Sequence, residues 1–130
     1  GAYNLMQNGK YQEALNVLNV MRFMDATDSR YTFSIAVCYY GLKDYLDAAA
    51  NYLIFRQMDP LNPIGSYRLY DCYVKTNHPT SALFYLQEAL ILANMKPKYA
   101  SIKEKIRLET EQYTESMKKY YQEKYGSAKE

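Results

Sequence analysis

A period of 34 residues runs through the chain and limits what it can become. Ala14, Ala48 and Ala82 are each 34 apart, as are Leu18, Tyr52 and Leu86, and Met21, Phe55 and Ala89. Leu5, Tyr39 and Tyr73 hold the same offset, Ile35 matches Leu69, and the two cysteines, Cys38 and Cys72, match each other. Polar positions follow too: Asp25 with Asp59, and Asp28 with Asn62. A unit of this length cannot bury its own apolar face. Copies must stack so that each covers the next, which makes the chain a solenoid rather than a globule with one central core.

Within each copy the spacing is helical. Ala14, Leu18 and Met21 stand at i, i+4 and i+7, one helical face, and so do the corresponding residues of the other copies. A small alanine lets a paired helix approach, and the large residue one turn later fills the space beside it. Turn signals fall between the helices at Asn8-Gly9, at Gly41 to Asp44, and at Asn77-His78-Pro79. Pro79 suits a first helical turn, Asp28 and Asn62 suit N-caps, and Asp59-Pro60 closes the helix before it. The pattern predicts helices over 2–8, 11–24, 29–41, 44–58, 63–76, 79–94 and 97–125. This is an all-α architecture of three helix pairs (1–27, 28–61 and 62–95), then a long C-terminal helix over 96–125 and a frayed tail over 126–130. The chain starts abruptly, with the first helix of copy one shortened, and reads as a trimmed chain or a fragment. Tyr99, Ile102 and Ile106 form a stripe that can cover the last pair, as terminal repeats require. Beyond Ile106 the apolar pattern thins among Lys and Glu. A solvated extension with pairs such as Glu115–Lys119 is favoured there over a tyrosine-rich arm that touches a partner.

Composition narrows the function. Sixteen basic and fourteen acidic residues leave a net charge of +2. The excess lies in 96–130 and is too small and too mixed in sign for a nucleic-acid footprint. No apolar run is long enough to span a bilayer, and the N-terminus lacks the pattern of a signal peptide. Two cysteines at repeat spacing read as buried thiols in a reducing cytosol, not as a disulfide framework. There is no tryptophan but there are sixteen tyrosines. Tyrosine's broad apolar face and polar tip serve binding surfaces as well as cores.

Chemistry is hard to find. The one histidine, His78, sits in a turn without a second ligand at metal spacing, so neither a metal nor a cofactor is expected. The cysteines have no adjacent base, the glycines are too scattered for a phosphate loop, and carboxylate pairs such as Asp44–Asp47 fit exposed helical faces. The expectation is a protein that binds, not an enzyme.

The motif Gly-Lys-Tyr-Gln-Glu-Ala (9–14) and its echoes Lys-Asp-Tyr-Leu-Asp-Ala (43–48) and Asn-His-Pro-Thr-Ser-Ala (77–82) resemble the tetratricopeptide repeat (TPR), without the tryptophan typical of its first helix. Such pairs stack into a right-handed superhelix whose first helices line a concave face. The register then places Tyr3, Met6 and Gln7 of copy one, Arg30, Phe33, Val37 and Tyr40 of copy two, and Ile64, Tyr67, Asp71 and Val74 of copy three in the groove. Tyr39, Tyr52 and Tyr73 fall in the core. Some groove residues could simply pack on neighbouring helices. A ligand is preferred because a vacant concave face would favour polar residues. The lysines and asparagines of the carboxylate-clamp TPR domains are replaced by Phe33, Val37 and Tyr40, so apolar anchors are expected rather than an acidic C-terminus.

Ala-Tyr-Asn-Leu-Met-Gln-Asn-Gly-Lys-Tyr-Gln-Glu-Ala (2–14), Met-Asp-Ala-Thr-Asp-Ser-Arg-Tyr (24–31), Ala-Val-Cys (36–38), Met-Asp-Pro-Leu-Asn-Pro (58–63) and Ala-Leu-Ile-Leu-Ala-Asn (89–94) resemble the class II type III secretion chaperones of SycD/LcrH/IpgC type. The resemblance spans about residues 2–106. It implies a bacterial cytoplasmic chaperone that keeps a secreted translocator, or a gatekeeper-type protein, export-competent by covering an extended segment with spaced anchors. It also places Tyr11, with Tyr3 and Met6, among the groove residues of the first repeat. The family's N-terminal self-association segment has no counterpart in this sequence, so a homodimer would need residues outside it. The alternative is a TPR scaffold that bridges folded partners.

Overall fold

The computed structural model describes residues 1–126, so most of the predicted frayed tail lies outside the described residues. Seven α-helices follow one another: α1 (Ala2–Gln7), α2 (Tyr11–Met24), α3 (Ser29–Gly41), α4 (Tyr45–Met58), α5 (Pro63–Lys75), α6 (Pro79–Met95) and α7 (Ala100–Tyr125). There is no strand among the described residues. The predicted bounds differ by a residue or so, with one exception. The last helix begins with a separate 3-10 turn, Pro97–Tyr99. Lys96 precedes a proline and is extended (φ −136°, ψ 136°), which breaks the chain away from α6 before helix resumes. The close contacts run between helices adjacent in sequence, α1 with α2, α2 with α3 and so on to α7. This is the contact pattern of a solenoid.

The helix pairs α1–α2, α3–α4 and α5–α6 are closed by one turn used three times. Gly9, Lys43 and Asn77, again 34 apart, all have left-handed backbone, with φ of 73°, 62° and 59°. In each turn two N–H groups bond back into the helix. Lys10 reaches Leu5 O at 2.8 Å and Gly9 reaches Met6 O at 3.0 Å, and the same pair of bonds recurs at Asp44/Lys43 and His78/Asn77. These are Schellman closures, which satisfy carbonyls that a helix end leaves free. The link between pairs is conserved in the same way. Asp28 Oδ1 accepts from Arg30 N and Asn62 Oδ1 accepts from Ile64 N, both at 3.0 Å, so the two predicted N-caps are present.

Packing follows the register. Ala14, Ala48 and Ala82 are wholly buried, as are Leu86 and Tyr52, and Leu18 nearly so. Cys38 and Cys72 are wholly buried too, and the next position in that series, Ile106 of α7, is equally buried. Thus α7 does more than cap: it takes the place of a fourth first helix. Tyr99, Ile102 and Tyr113 pack around Ile106 against Leu86, Ala89 and Ala93.

Polar ties join the second helices of successive pairs. Arg22 on α2 donates to Asn51 Oδ1 on α4 at 2.8 Å. Arg56, at the same register one copy on, grips Glu88 of α6 with two bonds of 2.7 and 2.5 Å. Buried Ser66 of α5 donates to the same carboxylate. Glu88 therefore ties three helices, and its hydrogen bonds to Arg56 hold its carboxyl below the usual glutamate range.

Stability outcomes of two kinds are expected, the first from the left-handed turns. Lys43→Gly should raise stability by about 0.5–1 kcal/mol, because left-handed backbone costs a side-chain-bearing residue more than glycine's extra unfolded-state entropy. Gly9→Ala should lower it by about 1–2 kcal/mol for the same reason. Urea midpoints at unchanged m-value would show both. The second concerns acid. Glu88's folded pKa lies below its unfolded value near ~4.3, so its contribution is fully present above that value and fades as pH falls through the folded pKa. The stability gap between the wild type and Glu88→Gln should therefore narrow between about pH 5 and pH 3. A constant gap would show that the carboxylate's charge is not what ties the helices.

Candidate functional site

Successive first helices α3, α5 and α7 leave two adjoining cavities between them, and Ile64 lines both. The first, of about 450 Å³, lies between α3 and the start of α5, with Phe33 and Phe55 as its apolar wall and Arg30, Asp59 and Asn62 at its edge. The second, of about 390 Å³, lies between α5 and α7. It is bounded by Ile64, Tyr67, Tyr70 and Ile102, with Arg68, Asp71, Lys105 and Glu109 around them. One groove thus gains charged residues along its length, while keeping an apolar wall throughout.

The rings are set by what lies beneath them. Phe33 is half-buried, edge-on to Tyr52 at 5.5 Å and to Phe55 at 5.0 Å between centroids. Val37 and Tyr40 are half-buried against the same central cluster. Tyr40 packs edge-on against Tyr45 at 5.2 Å, and burial, with Asp71 nearby, raises its phenol pKa. Tyr67 stacks on Tyr70 at 6.2 Å and donates its hydroxyl to Glu109 Oε1 at 2.6 Å across to α7. Burial, then that bond, raises Tyr67, while burial pushes Tyr70 up to about 12. Asp71 lies 3.7 Å from Lys75 Nζ.

The other predicted positions are less central. Tyr3 is 71% exposed and accepts a 3.0 Å bond from Gln7, so these two satisfy each other on α1, while Met6 packs into the first core cluster. Arg30 folds back onto its own helix cap, 2.6 Å from Asp28, and stands at the cavity rim. Val74 is exposed past the second cavity, facing the far half of α7. Tyr11 stands apart from these. It opens α2, a second helix, and packs half-buried against the first core cluster. Its ring fills the space that a β-carbon on Gly41 would need, so it packs between copies one and two. Tyr39 and Tyr73 lie in the packed layer as expected, Tyr73 stacked on Tyr85 at 5.7 Å.

The second half of α7 is largely exposed, in keeping with the solvated extension that the sequence favours, but part of it also faces α5. Tyr113 meets Tyr70 edge-on at 5.4 Å. Met117, Tyr120, Tyr121 and Tyr125 face Tyr73, Val74 and His78 across a further cavity of about 420 Å³. Arg107 is the charge hub of the helix, bonded to Glu104 and to Glu111, the latter at 2.5 Å. Sequence reasoning missed Arg68, Lys105, Glu109 and Phe55 as groove residues. Lys105 was within reach, because it stands 34 after Asp71 and the register continues through α7.

Neither thiol is poised for chemistry. Burial pushes Cys38 up to about 11 and Cys72 up to about 12, so both are protonated near neutrality. Beneath the groove, Tyr52 stands where the other copies have leucine, and its buried hydroxyl has no hydrogen-bond partner among the described residues. Such a group costs about 1–3 kcal/mol. Tyr52→Phe should therefore raise stability by about 1 kcal/mol in thermal or urea unfolding. A loss of stability would mean that the hydroxyl is satisfied in solution.

No family model and no curated protein sequence matches the chain. Solved structures do. The fold is that of the TPR-type translocator chaperones of type III secretion. PcrH, a Pseudomonas aeruginosa protein, solved in complex with the chaperone binding region of PopD, is 22% identical with a TM-score of 0.83, over 89% of this chain and 87% of that one. The Yersinia enterocolitica type III secretion chaperone SycD, solved in complex with a peptide of the translocator YopD, is 23% identical with a TM-score of 0.82, over 89% and 88%. A chain of the CopN–Scc3 complex is 26% identical with a TM-score of 0.77, over 81% of this chain and 62% of that one.

Proposed function

We propose that this chain is a type III secretion chaperone of class II, which holds an apolar segment of a translocator or gatekeeper-type secreted protein in its concave groove and keeps it soluble for export. The observation that carries this reading is the pair of adjoining cavities sharing Ile64, set between first helices and walled by half-buried aromatic rings. Such a surface offers anchors for spaced apolar side chains, and rings already held by the core lose little freedom on binding. Support comes from the fold shared with chaperones solved in complex with pieces of PopD and YopD.

In this reading residues 1–95 carry the repeats, and α7 completes the groove. Tyr3, Met6 and Gln7 of α1 form its outer end. The work is binding without catalysis, in the bacterial cytoplasm. No helix among the described residues is long and apolar enough to cross a membrane.

The test is co-expression with translocator and gatekeeper proteins of the native host. A client that precipitates alone should stay soluble with the chain and elute with it. Ile64→Gln should weaken that complex by about tenfold or more, the scale of losing one buried apolar anchor, while circular dichroism stays that of the wild type. Ile64 is the better target because Phe33 also supports Tyr52 and Phe55, so a charge there would strike the fold as well. A partner that is equally soluble by itself would make the chain a scaffold instead.

A further inference from the structure

The polar half of the groove has a donor surplus that an apolar ligand would leave unused. Arg68 and Lys105, on neighbouring first helices, line the same cavity between α5 and α7. The Arg68 guanidinium lies 5.9 Å from the centre of the Phe33 ring, and the Lys105 ammonium lies 5.8 Å from that of Tyr67. Neither makes a hydrogen bond or an ion pair with any described residue. The other four arginines all do: Arg22 with Asn51, Arg30 with Asp28, Arg56 with Glu88, and Arg107 with Glu104 and Glu111.

The cavity's own acids are turned elsewhere. Glu109 receives the Tyr67 hydroxyl at 2.6 Å, and Asp71 faces Lys75 at 3.7 Å. What remains open is a guanidinium fork and an ammonium, both lining one cavity with their donors unused. Each is held over an aromatic face, which fixes its position without using its N–H groups.

We propose, resting on the chaperone reading above, that the groove recognises a carboxylate side chain in the segment it holds: an Asp or Glu seated between Arg68 and Lys105, beside an apolar anchor in the Phe33–Ile64 cavity. A carboxylate matches the guanidinium fork with two parallel bonds and takes a third from the lysine, which a lone backbone carbonyl cannot do. The pair then acts as a specificity element. Apolar anchors supply affinity, and the acid sets which segment binds and in what register.

The experiment selects binders from a display library of random peptides on the wild type, on Arg68→Gln and on Lys105→Gln. Both substitutions are at exposed side chains. Individual selected peptides are then measured by fluorescence anisotropy with their Asp or Glu intact, replaced by Asn or Gln, and replaced by Lys. Wild-type selection should enrich apolar anchors with an acid at a fixed spacing. The acid-to-amide change should cost about tenfold in affinity, and raising salt should narrow that difference. Arg68→Gln and Lys105→Gln should each bring the acid-over-amide affinity ratio from about tenfold down toward one. Enrichment of apolar anchors with no acid, or an acid preference that survives both variants, would overturn the proposal and leave the chaperone reading standing. Enrichment of neither would overturn both. An acid preferred only at a free C-terminal end would replace the side-chain carboxylate with a terminal one and likewise overturn it.

Discussion

Ala14, Ala48 and Ala82 have no exposed surface, and one sits in each second helix, where side-chain bulk would hold the neighbouring helices apart. The close approach they allow sets the spacing on which the groove depends. Larger residues at i+4 and i+7 then fill the layer, and Cys38, Cys72 and Ile106 close it from the first helices, each wholly buried. Because every copy uses the same few contacts, an error at one interface cannot be absorbed by a shared centre. It stays local and shifts the cavities on either side. The left-handed turn at Gly9, Lys43 and Asn77 serves the same geometry by fixing how each second helix leaves the first.

The proposed binding surface is a by-product of that core. Phe33, Val37 and Tyr40 are neither free to move nor fully enclosed, since each rests on the Tyr52–Leu69–Cys72 layer with one side left to solvent. A folded protein usually avoids such exposure of apolar rings. Tyr52 shows the compromise: it fills more of the layer than the leucines of the other copies, at the cost of a buried hydroxyl without a partner.

Much of this was legible in the sequence, for a physical reason. Burial in a solenoid is periodic, so a residue's fate follows from its register, and the core tyrosines, the Asp28 and Asn62 caps and the groove position of Ile64 could all be read that way. What escaped reading depends on contacts between copies that differ in residue type. Tyr11 has a groove residue's chemistry, but Gly41 leaves a hollow that only its ring fills. Arg68 looks like one more surface charge until Phe33 is found beneath it. The far half of α7 has the composition of a solvated helix and is largely exposed, yet its Tyr113 meets the Tyr70 ring of α5, which the linear pattern could not bring near.

The dual role of α7 explains the change of chemistry along the groove. A helix that ended the stack only by covering α6 would need apolar residues on one face and nothing else. Ile106 and Ile102 meet that need, but the same helix also presents Lys105 and Glu109 toward α5. These charges lie on the groove side of the stripe, where they do not help to cover the last pair. Glu109 is engaged by the Tyr67 hydroxyl, which ties α7 to α5 across the cavity. Lys105 is left over that same ring with its donors free. Covering the last pair does not call for such an arrangement, and its position next to an apolar cavity is what the proposed recognition of a carboxylate would use.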